Sequence, residues 1–150
     1  MVYTEAANLE RAIAVAKERD FDAVLIDTAG HHAEHSAYAI EIADTCIVPC
    51  RPSMMDLQAS VTSVIALKQA NKDFAFVLNQ TSVQKRRSDT AMTSLKNVGL
   101  VCPVSIVQRV TYQDAYFDGV GVTEFEPNGK AAEEIGHLAK WLAAFPKTTS

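Results

Sequence analysis

Glycine is scarce in this chain and builds no glycine-rich loop. The six glycines stand at positions 30, 99, 119, 121, 129 and 136, and no GxGK-like segment exists. That excludes a glycine-rich phosphate cradle opening into a helix. Cysteine is equally sparse. Three residues (Cys46, Cys50, Cys102), an odd number without framework spacing, exclude a disulfide-stapled domain and read as reduced thiols of a cytoplasmic protein. No apolar run approaches the roughly 20 residues that span a bilayer. Positive charge is not in excess either, with 14 Lys and Arg against 18 Asp and Glu and a formal net charge of -4. The whole molecule is therefore no electrostatic magnet for nucleic acid, and any DNA contact needs a local basic patch. Met1 to Glu10 carries acids and lacks the basic-then-apolar layout of a secretory signal. Internal repeats, low-complexity stretches and long linkers are missing. What is present is an ordinary globular balance, 48% hydrophobic and 21% charged over 150 residues. Such a chain reads as a single domain, 1–150, with a real core.

The apolar pattern alternates between two periods. Residues 6–19 place Leu9, Ile13 and Ala16 on one helical face, and Phe21–Asp27 (FDAVLID) is a short apolar run ending in a carboxylate, as a strand buried on both faces looks. The alternation continues with a helix over 33–43, a strand over 45–50 and a helix over 56–70. A strand follows over 74–78, then a helix over 85–97 stopping at Gly99, and a strand over 100–106 interrupted by Pro103. A short helix at 111–117, a loop at 118–127 and a closing helix at 129–145 complete the pattern. Strands alternating with helices of this length give an α/β fold, a mostly parallel sheet with helices on both faces. In such sheets ligands bind at the carboxyl ends of the strands. Here those ends carry Asp27-Thr28-Ala29-Gly30, Cys50-Arg51-Pro52-Ser53, Asn79-Gln80 and Gln108-Arg109.

Asp27 is the residue most suggestive of chemistry. A hydrophobic strand that delivers an aspartate into a loop is how phosphoryl-transfer proteins hold Mg²⁺ through its water shell. Thr28 adds a hydroxyl, and Gly30 an amide able to approach a terminal phosphate closely. The competing reading is that Asp27 caps the helix starting near Ala33 or closes a turn. His31, His32 and His35 form an HHxxH cluster beside it, with Cys46 and Cys50 nearby along the chain. A transition-metal site is conceivable there, but no HExxH or CxxC pattern supports it, and solvated loop histidines are the plainer reading. Cys46 and Cys102 fall inside strand patterns and read as small core hydrophobes. Lys85-Arg86-Arg87 opens a helix that also carries Lys96; the run is either a contact for DNA phosphates or a solvated helix start.

At these residues the chain resembles the ParA/MinD deviant-Walker ATPases. FDAVLIDTAG is similar to their Walker B and switch segment, and ADTCIVPCRPSMMDLQAS (43–60) to their strand, Pro-Ser and helix-opening Asp. FAFVLNQ ends in the Leu-Asn that the family places beside the base. SIVQRVTYQDAYFDGVGVTEFEPNGKAAEEIGHLAKWL resembles their C-terminal segment. The likeness runs in register from Phe21 to Leu142. It implies a P-loop NTPase-like fold with ATP and Mg²⁺ as cofactors, Asp27 as the water-mediated Mg²⁺ partner and Gly30 as the switch amide near the γ-phosphate. It also implies Asn79 on the adenine edge and Arg109 near the base. Asn79 read on its own is equally a turn residue closing its own backbone. The partners implied are a second copy in a homodimer, a ParB-like activator and non-specific DNA, in plasmid or chromosome partitioning.

The departure from that family is the glycine-rich loop with two lysines, which this chain does not contain. Without those amides and charges the main transition-state stabilisation is lost, so the chain is expected not to hydrolyse ATP alone and to bind it weakly or not at all. The start about a helix before the Walker B strand reads as a truncation, an excised piece of a longer chain or a decayed gene. The alternative is a non-catalytic α/β interaction module that has lost nucleotide chemistry. In the proteins resembled, the P-loop strand lies between the counterparts of Phe21–Asp27 and 45–50. With it missing, those two runs are expected to pair directly, or else a strand from another copy enters between them.

Overall fold

The computed structural model describes residues 8–28, 33–82 and 85–145. Three strands form one parallel sheet: β1 (Cys46–Cys50), β2 (Phe74–Leu78) and β3 (Leu100–Val101), in the order β1-β2-β3. Helices α1 (Leu9–Glu18) and α2 (Ala33–Ile42) precede the sheet, and α3 (Met54–Gln69) and α4 (Lys85–Lys96) make its two crossovers. After β3 come α5 (Val110–Phe117), α6 (Val122–Phe125) and α7 (Lys130–Ala143). Among the described residues no helix is long and apolar enough to cross a membrane.

The period-2 alternation of β2 explains the two layers. Phe76 and Leu78 point to one face, where Val48, Cys50, Val101, Val64 and Leu67 of α3 and Ala91 and Leu95 of α4 close the main core. Val77 points to the other, joining Cys102 and Ile106 beneath Ile135, Leu138 and Trp141 of α7. Helices thus cover both faces of β2, as parallel sheets require. Beneath β1 the second layer is incomplete, and Ile47 and Pro49 remain exposed.

Local chemistry sets the helix ends. Ser53 caps α3: its Oγ accepts from the Asp56 N–H at 3.2 Å and donates to the Asp56 carboxylate. The helix therefore starts at Met54 rather than at Asp56. Asn71 (φ 51°) ends it, with the N–H of Lys72 reaching Leu67 O at 2.9 Å and that of Asn71 reaching Lys68 O at 3.1 Å. Gly119 (φ 71°) ends α5 in the same way. Gly99 does something different from the capping its position suggests. Its φ is not positive, and a Cβ there would lie 2.9 Å from Cε2 of Phe74. Gly99 lets that ring sit edge-on to Phe76, with centroids 5.6 Å apart and planes at 88°.

Three further expectations from the sequence need correction. The apolar run Phe21–Asp27 forms no strand, and Phe21 and Leu25 are 64% and 91% exposed. It does not pair with β1, which takes β2 alone as its partner. A groove of about 1250 Å³ separates the two segments. The ladder bonds from the N–H of Cys46 to Asp73 O and from the N–H of Asn79 to Cys50 O turn alternate β1 residues towards β2, leaving Ile47 and Pro49 to face the outer edge. Pro49 has no N–H, so that edge offers a second strand little to pair with. The strand expected over 100–106 stops at Val101. Pro103 breaks the ladder, which resumes through the N–H of Ile106 to Leu78 O at 2.9 Å and an isolated bridge between Thr81 and Val107. The segment 118–127 contains the one-turn helix α6 rather than a plain loop.

Gly99→Ala tests the packing at the α4–β3 turn. With φ already negative, the added methyl gains little from the unfolded state and must displace Phe74, at a cost of about 1 to 3 kcal/mol. Urea unfolding should show a lower midpoint with an unchanged slope; an equal or higher midpoint would mean that the ring swings aside freely.

Candidate functional site at the carboxyl ends of the strands

The carboxyl end of β2 runs into Asn79-Gln80-Thr81, and Thr81 is the only buried polar residue among those described, 2% exposed. Its N–H donates to Ile106 O at 2.9 Å, its carbonyl accepts from the N–H of Gln108 at 2.9 Å, and its hydroxyl donates to Ile106 O at 3.3 Å. These bonds zip the loop after β2 to the loop before α5. Asn79 continues the β1 ladder through its N–H, while its Oδ1 accepts from the N–H of Gln80 at 2.8 Å. Gln80 takes φ 51° there. The turn-closing role of Asn79 is thus real, and it occupies the side-chain oxygen. Among the described residues the Asn79 amide N–H₂ has no partner.

Glu134 of α7 braces the same rim. Its Oε1 accepts from Arg109 Nη2 at 2.5 Å and Nε at 3.2 Å. Its Oε2 accepts from the N–H of Val107 at 3.2 Å and the Tyr112 hydroxyl at 3.3 Å. The hydrogen bond to Glu134 raises the Arg109 pKa above its ordinary value. Burial, then the charge and hydrogen bond of Glu134, push the Tyr112 phenol up to about 12. Arg109, expected near the base, spends its guanidinium on this tether.

Asp27, Thr28, Asn79 and Arg51 all line the groove between the Phe21–Thr28 segment and β1. Asp27 and Thr28 are exposed there. Asp56 also lines it, at the start of α3. Burial pushes the thiols of Cys46 and Cys50 up, in Cys50 with the help of Asp56, so neither is a thiolate nucleophile at neutral pH. The structure brings together Asp27, Thr28 and Asn79, and it leaves Arg109 off the groove wall. Gly30, His31 and His32 lie outside the described residues. For Lys85, Arg86, Arg87 and His35 the described part is the helix backbone. Thr81 and Glu134 were missed from the sequence. Glu134 did leave a signal, an acid one place before Ile135 on the inner stripe of α7 that includes Ala131 and Leu138.

A parallel sheet with helices on both faces and a polar rim at its carboxyl ends is an α/β fold, and its likeness to solved MinD structures makes it P-loop NTPase-like. The same fold is found in the cell division ATPase MinD of Pyrococcus furiosus, with a TM-score of 0.75 at 20% identity over 92% of this chain and 58% of that one. It is found too in the septum site-determining protein MinD of Pyrococcus horikoshii, solved with Mg-ADP, with a TM-score of 0.73 at 20% identity over 92% and 56%. The family profile of the ATPase MipZ matches residues 2–70. Similar in sequence are the maintenance of carboxysome distribution protein A of Halothiobacillus neapolitanus and an uncharacterized protein of Methanocaldococcus jannaschii. The first is 30% identical over 102 residues, 63% of this chain and 47% of the relative. The second is 26% identical over 150 residues, 93% and 58%. The chain is thus similar in sequence and in fold to ATPases of the ParA/MinD type. It spans about half the length of the curated relatives it matches.

Two measurements test the Glu134 tether. Glu134→Ala leaves a half-buried guanidinium and the Val107 N–H without their acceptor and should cost about 2 to 4 kcal/mol, between a surface pair and a buried one. An unfolding midpoint within error of the parent would contradict this. The raised Tyr112 value favours the neutral phenol in the folded chain. Its stabilisation is complete below the unfolded value of 10.0 and is lost as pH rises towards about 12. Thermal melts across that window should show the loss, and Tyr112→Phe should remove this component.

Proposed function

We propose that this chain is the nucleotide-side C-terminal part of a ParA-like partitioning ATPase, one that positions plasmids or chromosomes. The observation carrying the reading is the convergence of Asp27, Thr28 and Asn79 on one groove at the carboxyl ends of the strands. The donor set fits the cofactors. An exposed carboxylate and a neighbouring hydroxyl are hard oxygen groups suited to Mg²⁺ and its water shell. The free amide of Asn79 can donate to an adenine edge, and its loop is held in place by Thr81.

In this reading Asp27 orients the water shell of Mg²⁺, and the Gly30 amide faces the terminal phosphate. Bound Mg²⁺ would neutralise charge on the phosphate oxygens. Asn79 selects the base, while Arg109, tied to Glu134, shapes the wall beyond it. The lysines and amides that stabilise transferring phosphate are not in this chain, so catalysis is assigned to a complete nucleotide site and not to these residues alone. The partners assigned with it are a second copy in a homodimer, a ParB-like activator and, through Lys85, Arg86 and Arg87, DNA phosphates.

The purified chain should show no ATPase activity above background and no micromolar ATP affinity by calorimetry. Mg²⁺-dependent turnover that co-purifies with it and vanishes in Asp27→Ala would overturn this expectation. The site itself is read by amide chemical shifts under millimolar Mg-ATP. Signals of Asn79–Thr81 and of Asp27 and Thr28 should move, and Asn79→Ala should remove the difference between ATP and GTP. Silence at both segments would favour the module without nucleotide chemistry.

A further inference from the structure

The helix pair α5–α6 carries an apolar face that folding does not use. Tyr112 and Ala115 turn inward against Val122, Ala131 and Ile135. On the opposite side Val110, Asp114 and Phe117 share one line at helical spacing, and Tyr116 stands on the adjoining flank. Phe117 is 91% exposed and Tyr116 87%, while Phe125 of α6 is also exposed. Rings this bare contribute almost nothing to the stability of the chain. The backbone that carries them is fixed nonetheless. Gly119 locks the end of α5, with the N–H of Val120 reaching Ala115 O at 3.0 Å, and Glu124 accepts from the N–H of Gly121 at 2.8 Å to fix the start of α6. Exposed aromatics on a fixed backbone are usual anchors of protein interfaces.

Charge selects the partner. From Val110 to Gly129 the chain has four acids, Asp114, Asp118, Glu124 and Glu126, and no Lys, Arg or His. This segment alone matches the formal net charge of -4 of the whole chain. The preceding cation, Arg109, is neutralised by Glu134. Such a face repels nucleic acid and anionic lipid and attracts cations. We infer that the outer face of α5–α6 docks a cationic amphipathic segment of another protein, its apolar side on Tyr116 and Phe117 and its Lys or Arg side chains on Asp114 and Asp118. This inference does not rest on nucleotide binding.

The test uses the 150-residue chain and a fluorescein-labelled amphipathic helical peptide with one Leu face and one Lys face. Two comparison peptides accompany it, a scramble of the same composition and a Leu/Glu counterpart. Fluorescence anisotropy should show micromolar binding of the Leu/Lys peptide only. Tyr116→Ser with Phe117→Ser should weaken it by about 10-fold or more, the loss expected of central aromatic anchors. Asp114→Asn with Asp118→Asn should weaken it and flatten its salt dependence. Both pairs are solvent-exposed, so circular dichroism should show the parent fold; the Asp pair decides if the aromatic pair does not fold. No binding, equal binding of the scramble or the Leu/Glu peptide, or indifference to both double variants would overturn the proposal. So would a chain dimer that the aromatic substitutions dissolve, since the face would then belong to a second copy.

Discussion

The five residues of β2 are the constraint that the rest of the described structure depends on. Its backbone is paired on both edges, by β1 and by β3, and Ala75 to Leu78 are each 3% exposed or less. Burying Phe76, Val77 and Leu78 is worth about 1.5 to 3 kcal/mol per side chain, before the opposing entropy. Because alternate residues serve opposite faces, β2 ties the α3–α4 layer to the α5–α7 layer. The rim inherits this rigidity. Asn79 follows Leu78 directly, so its backbone is fixed by the same ladder.

The two walls of the candidate site are physically unlike. On one side Thr81, Ile106 and Gln108 exchange backbone bonds and Glu134 adds four more contacts from α7. That wall is preorganised, and a group placed on it pays little ordering entropy. On the other side Phe21–Thr28 belongs to no ladder and leaves its largest apolar side chains in water. Asp27 is carried by that second wall. A carboxylate on a segment outside any ladder is held less precisely than one at the end of a paired strand. Preorganisation of the groove is therefore a property of the base side, and the metal side acquires it from whatever pairs with the segment.

The sequence made the alternation of elements legible because FAFVL and TCIVPC are apolar on both faces and are separated by helix-length periods. FDAVLID has the same look and failed, since composition reports that a run wants burial and says nothing of whether a partner edge is there to receive it. The Gly99 reading failed for a related reason. A glycine after a helix suggests a left-handed cap, whereas here the capping positions fell to Asn71 and Gly119, and Gly99 answers to the Phe74 ring. Site residues followed the same rule. Asp27, Thr28 and Asn79 were visible as polar residues ending apolar runs. The Glu134 tether joins residues 22 to 27 positions apart, which no local pattern encodes.

The outer edge of β1 shows how such a groove stays open without becoming a hazard. An unpaired apolar strand is a template for aggregation. On this edge Ile47 supplies the N–H and Pro49 supplies none, so β1 can accept bonds at both carbonyls but donate at one position within the strand. A strand that completes the ladder must therefore bring its own donors and leave an acceptor facing the proline ring. Two β1 edges meeting about a two-fold axis fail this requirement twice, because each lacks the donor the other needs. Pro49 thus weakens this edge for Phe21–Asp27 and for a second β1 alike, by the one donor it lacks.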